Sequence, residues 1–106
     1  MNKKTSLQKN FIPFAAEIFK SIGHPLRLKI FEALASGEKS VSELQKSIDA
    51  PQSVVSHQLK ILKSGKVVSF RKEGTLSMYY LSIPELQHLL DCLYSCQDKI
   101  AKKINL

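Results

Sequence analysis

A mainly helical domain carrying one β-hairpin is the fold class this sequence predicts, and three features predict it. Apolar residues recur with a helical period from Leu7 to Leu62 and again from Leu86 to Ile100. Between Lys66 and Leu81 the period drops to two. A glycine-containing turn, Lys72-Glu73-Gly74-Thr75, divides that alternating stretch. At 106 residues the chain is expected to make a single domain, 1–106, with no linker long enough to separate two.

The elements follow from local punctuation. The first helix is expected from about Leu7 to Ile22, with Phe11, Phe14, Ala15, Ile18, Phe19 and Ile22 forming a broad apolar stripe. Pro13 sits near its start and Gly23 ends it as a left-handed cap. Pro25 occupies the first turn of the second helix, where a missing N–H is tolerated, and that helix runs to about Ala35 before Gly37 closes it. Leu26, Ile30 and Leu34 share one of its faces, with Leu28 and Phe31 beside them. Ser40-Val41-Ser42-Glu43 has the spacing of a capping box and opens a short third helix to about Ser47, burying Val41, Leu44 and Ile48. Asp49-Ala50-Pro51 then breaks the chain, and the fourth helix runs from Gln52 to about Ser64. After the hairpin, Pro84 opens a last helix carrying Leu86, Leu89, Leu90, Leu93 and Ile100. The order α-α-α-α-β-β-α, with two short helices and a tight turn directly before a hairpin, is that of a winged helix-turn-helix.

Charge narrows the class of partner. Sixteen Lys+Arg against nine Asp+Glu leave a net charge of +7, which favours a polyanion. On a helical wheel the fourth helix sets Val55, Leu59 and Leu62 on one side and Ser53, Ser56, His57, Lys60 and Ser64 on the other. Short hydroxyls reach phosphates without clashing, and His57 and Lys60 are long enough for base edges in a major groove. Gln52, Ser53, Ser56, His57 and Lys60 are therefore the candidate contacts to double-stranded DNA from this helix. Arg71 and Lys72, beside the hairpin turn, are the candidates for the phosphate backbone. Any surface helix can show a Ser/Lys/His face; a basic hairpin directly after it, in a +7 domain, is what makes the DNA reading specific.

Other classes are excluded or demoted. No apolar run approaches the ~18 residues of a membrane helix, and the basic start Met1-Asn2-Lys3-Lys4-Thr5-Ser6 is not followed by a signal-peptide core, so a cytoplasmic protein is expected. An enzyme is not expected, because there is no Gly-rich phosphate loop, no HExxH and no cysteine with a positioned base. A winged module used only for protein contacts remains the alternative. Phe11, Phe14, Ile18, Leu86, Leu90 and Leu93 exceed what one small core covers, which points to a homodimer through the first and last helices.

The residues resemble the ArsR/SmtB family of dimeric winged-helix repressors. Gly23-His24-Pro25-Leu26-Arg27-Leu28, the run Gln52-Ser53-Val54-Val55-Ser56-His57-Gln58-Leu59-Lys60-Ile61-Leu62, and Arg71-Lys72-Glu73-Gly74 followed by Tyr79-Tyr80-Leu81 carry the resemblance. It covers roughly Ile18 to Leu81 and implies a homodimer that binds a palindromic operator and releases it when an effector binds. The family's two common metal patterns are not repeated. Where arsenic-sensing members carry cysteines around a Glu-Leu-Cys sequence, this chain has Val41-Ser42-Glu43-Leu44-Gln45. Where zinc-sensing members carry Asp-x-His and His-x-x-Glu or His-x-x-His, it has Ile83-Pro84-Glu85 and Cys96-Gln97-Asp98-Lys99.

What the last helix does offer is His88, Cys92 and Cys96 at i, i+4 and i+8, with Glu85 nearby. Two late, closely spaced cysteines form no secreted-type disulfide framework and are expected as reduced thiols. They suit a soft effector such as As(III), cadmium or lead, or else an oxidant or reactive sulfur species; equally, they suit simple packing. An i, i+4 pair on one helix is poorly placed for an unstrained disulfide, which favours the soft ion over the oxidant. His24 is expected to cap the second helix rather than ligate.

Overall fold

The computed structural model describes residues 6–106, and the basic run Met1–Thr5 lies outside them. The elements are α1 Ile12–Ile22, α2 Pro25–Ala35, β1 Lys39–Ser40, α3 Val41–Ile48, α4 Gln52–Ser64, β2 Val68–Glu73, β3 Leu76–Leu81, a 3₁₀ turn Pro84–Leu86 and α5 Gln87–Lys103. The predicted order is present, with two additions. The two-residue β1 pairs with β3, Lys39 opposite Tyr79 and Ser40 opposite Met78, so the sheet has three strands in the order β1-β3-β2. Pro84 opens a 3₁₀ turn, and the last α-helix begins only at Gln87.

The start of α1 and the conformation of its cap also differ from expectation. α1 starts at Ile12 rather than Leu7. Carried through Pro13, a helix would press the proline ring on the carbonyl of Lys9, so the chain forms a turn instead, with Phe11 N–H on the Gln8 carbonyl at 3.0 Å. Gly23 is not left-handed: φ is −74° and ψ 55°. His24 N–H donates to the Ile22 carbonyl at 2.7 Å across it, which makes an inverse γ-turn. His24 does cap α2, its Nδ1 accepting from Leu26 N–H at 3.1 Å.

Ser40 ends β1 and caps α3 at once. Its Oγ accepts from Glu43 N–H at 3.2 Å, and its own N–H donates to Glu43 Oε1 at 2.9 Å, completing the capping box. That backbone N–H holds the Glu43 carboxyl below the usual carboxylate range. The core forms where α2, α3, α4 and the sheet meet, around Ile30, Phe31, Leu34, Leu44, Val55, Leu59, Leu62, Val67 and Val68. The hairpin closes with Glu73 opposite Leu76, leaving Gly74-Thr75 as a two-residue turn in which Gly74 has φ 64°.

Candidate nucleic-acid interface

The turn between α3 and α4 is tight because Asp49 adopts a left-handed conformation, φ 52°, which its short polar side chain tolerates. Ala50 N–H then returns to the Gln45 carbonyl at 3.2 Å, and Pro51 launches α4. Val55, Leu59 and Leu62 are at most 1% exposed, so the core sets which side of α4 faces out. On the outward side stand Gln52, Ser53, Ser56, His57, Lys60 and Ser64, all exposed. Ser53, Ser56, His57 and Lys60 are thus exposed on the side the wheel predicts, and Gln52 at the start of the helix is exposed as well.

The wing differs in its chemistry. Arg71 and Lys72 are both exposed, but Arg71 is not a free cation. Its Nη2 lies 2.8 Å from Glu38 Oε1 and its Nη1 3.0 Å from Glu73 Oε2. Hydrogen bonds to Glu38 first and Glu73 second push its pKa further up, so the guanidinium stays charged while two carboxylates screen it. Exposed pairs of this kind add little stability. Their effect is on what the wing presents; sequence places Glu73 only in the hairpin turn and gives no sign of Glu38 as a partner of Arg71.

A further cation joins the two parts. Lys63 Nζ sits 4.4 Å from the centroid of Phe70, which packs on Tyr79 with ring centroids 5.4 Å apart. Lys63 is three residues after Lys60, and that spacing was the available signal for it.

The predicted effector residues are only partly gathered. Cys92 is exposed and Cys96 half-buried, with Ser95 Oγ 3.8 Å from the Cys96 sulfur. His88 is 83% exposed at its side chain and lies 3.8 Å from Asp91 Oδ2. Among the described residues no group of three or more His, Cys, Asp or Glu side chains is placed to hold a metal ion. Two thiols and a solvent-facing imidazole do not make a complete metal site within one chain.

A separate part of the surface is apolar. Phe11, Phe14 and Phe19 of the α1 region, Leu28 of α2, and Leu93 and Ile100 of α5 are all exposed. All but Phe14 line shallow grooves between α1, α2 and α5. Ile18 and Leu90, expected on this outer face, belong instead to the core at 5% and 3% exposure. Among the described residues no helix is long and apolar enough to cross a membrane.

Comparison with known proteins agrees with this geometry. Residues 24–69 match the family model described as bacterial regulatory protein, arsR family. The chain is 42% identical over 81 residues to an uncharacterized HTH-type transcriptional regulator of Methanocaldococcus jannaschii, covering 73% of this chain and 91% of that one. It is 35% identical over 80 residues to the biofilm growth-associated repressor of Agrobacterium fabrum, covering 76% and 68% respectively. The crystal structure of the transcriptional repressor BigR from Xylella fastidiosa superposes with a TM-score of 0.75 at 30% identity, over 82% of this chain and 89% of that one. These are DNA-binding regulators rather than enzymes, and the chain belongs to the ArsR family of winged helix-turn-helix transcriptional repressors.

Proposed function

We propose that the protein acts as a single-domain cytoplasmic homodimer on a palindromic operator. α4 enters the major groove, where Gln52, Ser53, Ser56, His57 and Lys60 make the contacts, and Lys72 with Arg71 carries the wing along the phosphate backbone. The observation that carries this reading is the outward side of α4, small, polar and exposed on a helix whose other side is locked in the core. The apolar surface of α1 and α5 supports the dimer, since an exposed patch of that extent on a small domain calls for a partner. Two copies place two recognition helices about one DNA turn apart.

Release is assigned to a thiol-directed effector acting at Cys92 and Cys96, with As(III) or a soft divalent metal ahead of an oxidant or reactive sulfur. The exposure of Cys92 next to the half-buried Cys96 supports this. His88 is the candidate third donor. Because the described residues of one chain gather no full donor set, any bound ion draws its remaining ligands from solvent or from the second copy.

The test is a mobility-shift titration on DNA upstream of the coding sequence, repeated with arsenite, cadmium, zinc, peroxide and polysulfide. Selective binding that one of these reagents reverses, and that Cys92→Ser with Cys96→Ser renders insensitive, is the expected result. A double-serine protein that still releases DNA with the same reagent returns both cysteines to packing. Equal, weak binding to upstream and random DNA removes the operator reading altogether.

A further inference from the structure

The inner side of α4 carries one buried polar side chain, Gln58, which is 8% exposed among Val55, Leu59 and Leu62. Taking an amide out of water is costly unless its hydrogen bonds are remade. Arg27 of α2 remakes one, its Nη1 donating to Gln58 Oε1 at 2.9 Å. The same guanidinium donates from Nε to the Ser21 carbonyl at 2.6 Å.

That carbonyl is orphaned by the sequence itself. Four residues on, where an α-helix would supply its N–H, stands Pro25, which has none. The His24 N–H is already turned to Ile22. A cation at this point also meets the negative end of the α1 dipole. Arg27 therefore joins three helices, with its backbone in α2, one arm on the end of α1 and the other on the middle of α4. A few residues away the same two helices touch with no space between them: a Cβ added at Gly65 would stand 1.8 Å from Ser21 Oγ.

We infer that Arg27 is a positioning residue for DNA recognition, the Ser21–Arg27–Gln58 bridge setting how α4 is rotated against α1. Apolar packing is non-directional and lets a helix turn slightly about its axis. A hydrogen bond from a planar guanidinium is directional and fixes that rotation. Gln58 directly follows His57 and precedes Lys60 by two residues, so a small turn at Gln58 re-aims both contacts. The inference rests on the reading above, in which α1 faces the second copy and α4 the groove; the bridge then links the dimer face to the recognition helix.

The experiment uses the full chain and a duplex that the wild-type protein enriches from a random-sequence pool, with a scrambled duplex of equal length as reference. Arg27→Met and Gln58→Leu are each expected to weaken binding to the enriched duplex roughly tenfold, the scale of one hydrogen bond to a charged group. Affinity for the scrambled duplex and its salt slope should not move, because no phosphate contact is removed. The double variant should lose no more than either single one. Gln58→Glu keeps the acceptor and should discriminate like wild type.

Enriched-duplex affinity within about twofold of wild type in both variants overturns the inference. So does a parallel loss on both duplexes, which marks damaged folding rather than lost orientation. If the variants do not fold, the Arg27 Nε–H resonance of the wild-type protein decides: it should be protected from exchange and shift with the enriched duplex only, and an unprotected or unresponsive signal refutes the bridge. A wild-type protein that fails to distinguish the two duplexes breaks the parent reading. One that distinguishes them as well without Arg27 breaks this inference alone.

Discussion

α4 and α5 are both amphipathic, and they differ in how much of their apolar side the chain itself covers. In α4, Val55, Leu59 and Leu62 are sealed into the core. In the seventeen-residue α5 only Leu90 is buried, while Leu93 and Ile100 each remain 46% exposed. Leu89 is half-buried against the core, and Tyr94 adds a hydrogen bond to α2, its hydroxyl donating to Glu32 Oε2 at 2.6 Å. That hydrogen bond, with Glu32 as acceptor, raises the phenol pKa. What α4 leaves outside is polar and fit for a hydrated polyanion. What α5 leaves outside is apolar and fit for another protein surface.

The comparison breaks most visibly at Leu93. Leu93→Glu should keep the helical signal, since the side chain is already half outside, yet weaken self-association a hundredfold or more by placing an unpaired charge in an apolar contact. Sedimentation velocity over a concentration series reads this, and an undiminished dimer would show that α5 is not the interface. Leu90→Glu should instead unfold the domain, because Leu90 is core.

On α4 the effect should be confined to DNA. His57→Ala and Lys60→Ala are expected to cost about 1–3 kcal/mol of operator affinity where the side chain reads a base edge. Both residues are exposed, so thermal midpoints should match wild type. Full affinity in both variants would take α4 out of the groove.

A smaller change sharpens the wing. Glu73→Gln removes one of the two carboxylates that screen Arg71, and should raise affinity for any duplex by less than about fivefold without changing sequence preference. A loss of affinity would mean that Glu73 instead holds Arg71 in its binding pose.

The smallest effect concerns the start of α3, which seats α4. Glu43 has a depressed pKa in the folded chain, so its contribution is present above the ordinary carboxylate range and is lost as pH falls through the folded value. Glu43→Gln should therefore lower the thermal midpoint at neutral pH and converge with wild type in acid. A midpoint difference independent of pH would contradict the carboxylate's role in the capping box.

Much of this was legible in the residues. Pro25 and Pro51 mark the starts of α2 and α4 because a missing N–H is tolerated only in a helix's first turn, and the capping box announces α3. The outward side of α4 follows from its period alone. β1 was not legible, since two residues carry no alternation and owe their conformation to β3. Nor was the pairing of Arg71 with Glu38, which lies 33 residues earlier and is brought near only by folding. Periodicity shows a helix's apolar side but not which part the same chain will cover. That is why period alone groups Leu90 and Ile18 with Leu93, while folding puts them in the core. The period is silent on Gln58 for the same reason, its partner being set by the packing of three helices.

The order β1-β3-β2 leaves β2 at the margin of the sheet, with no strand of the described residues along its outer side. Such a margin is a template on which a neighbouring molecule could add its own strand. Here the exposed end of that strand reads Arg71-Lys72-Glu73, so an incoming copy would meet its own charges like to like in a parallel, in-register approach. The wing residues proposed to meet the polyanion, Arg71 and Lys72, would thus also act as gatekeepers against sheet growth, and a variant that neutralised them to weaken DNA binding should be watched for filaments and precipitation as well.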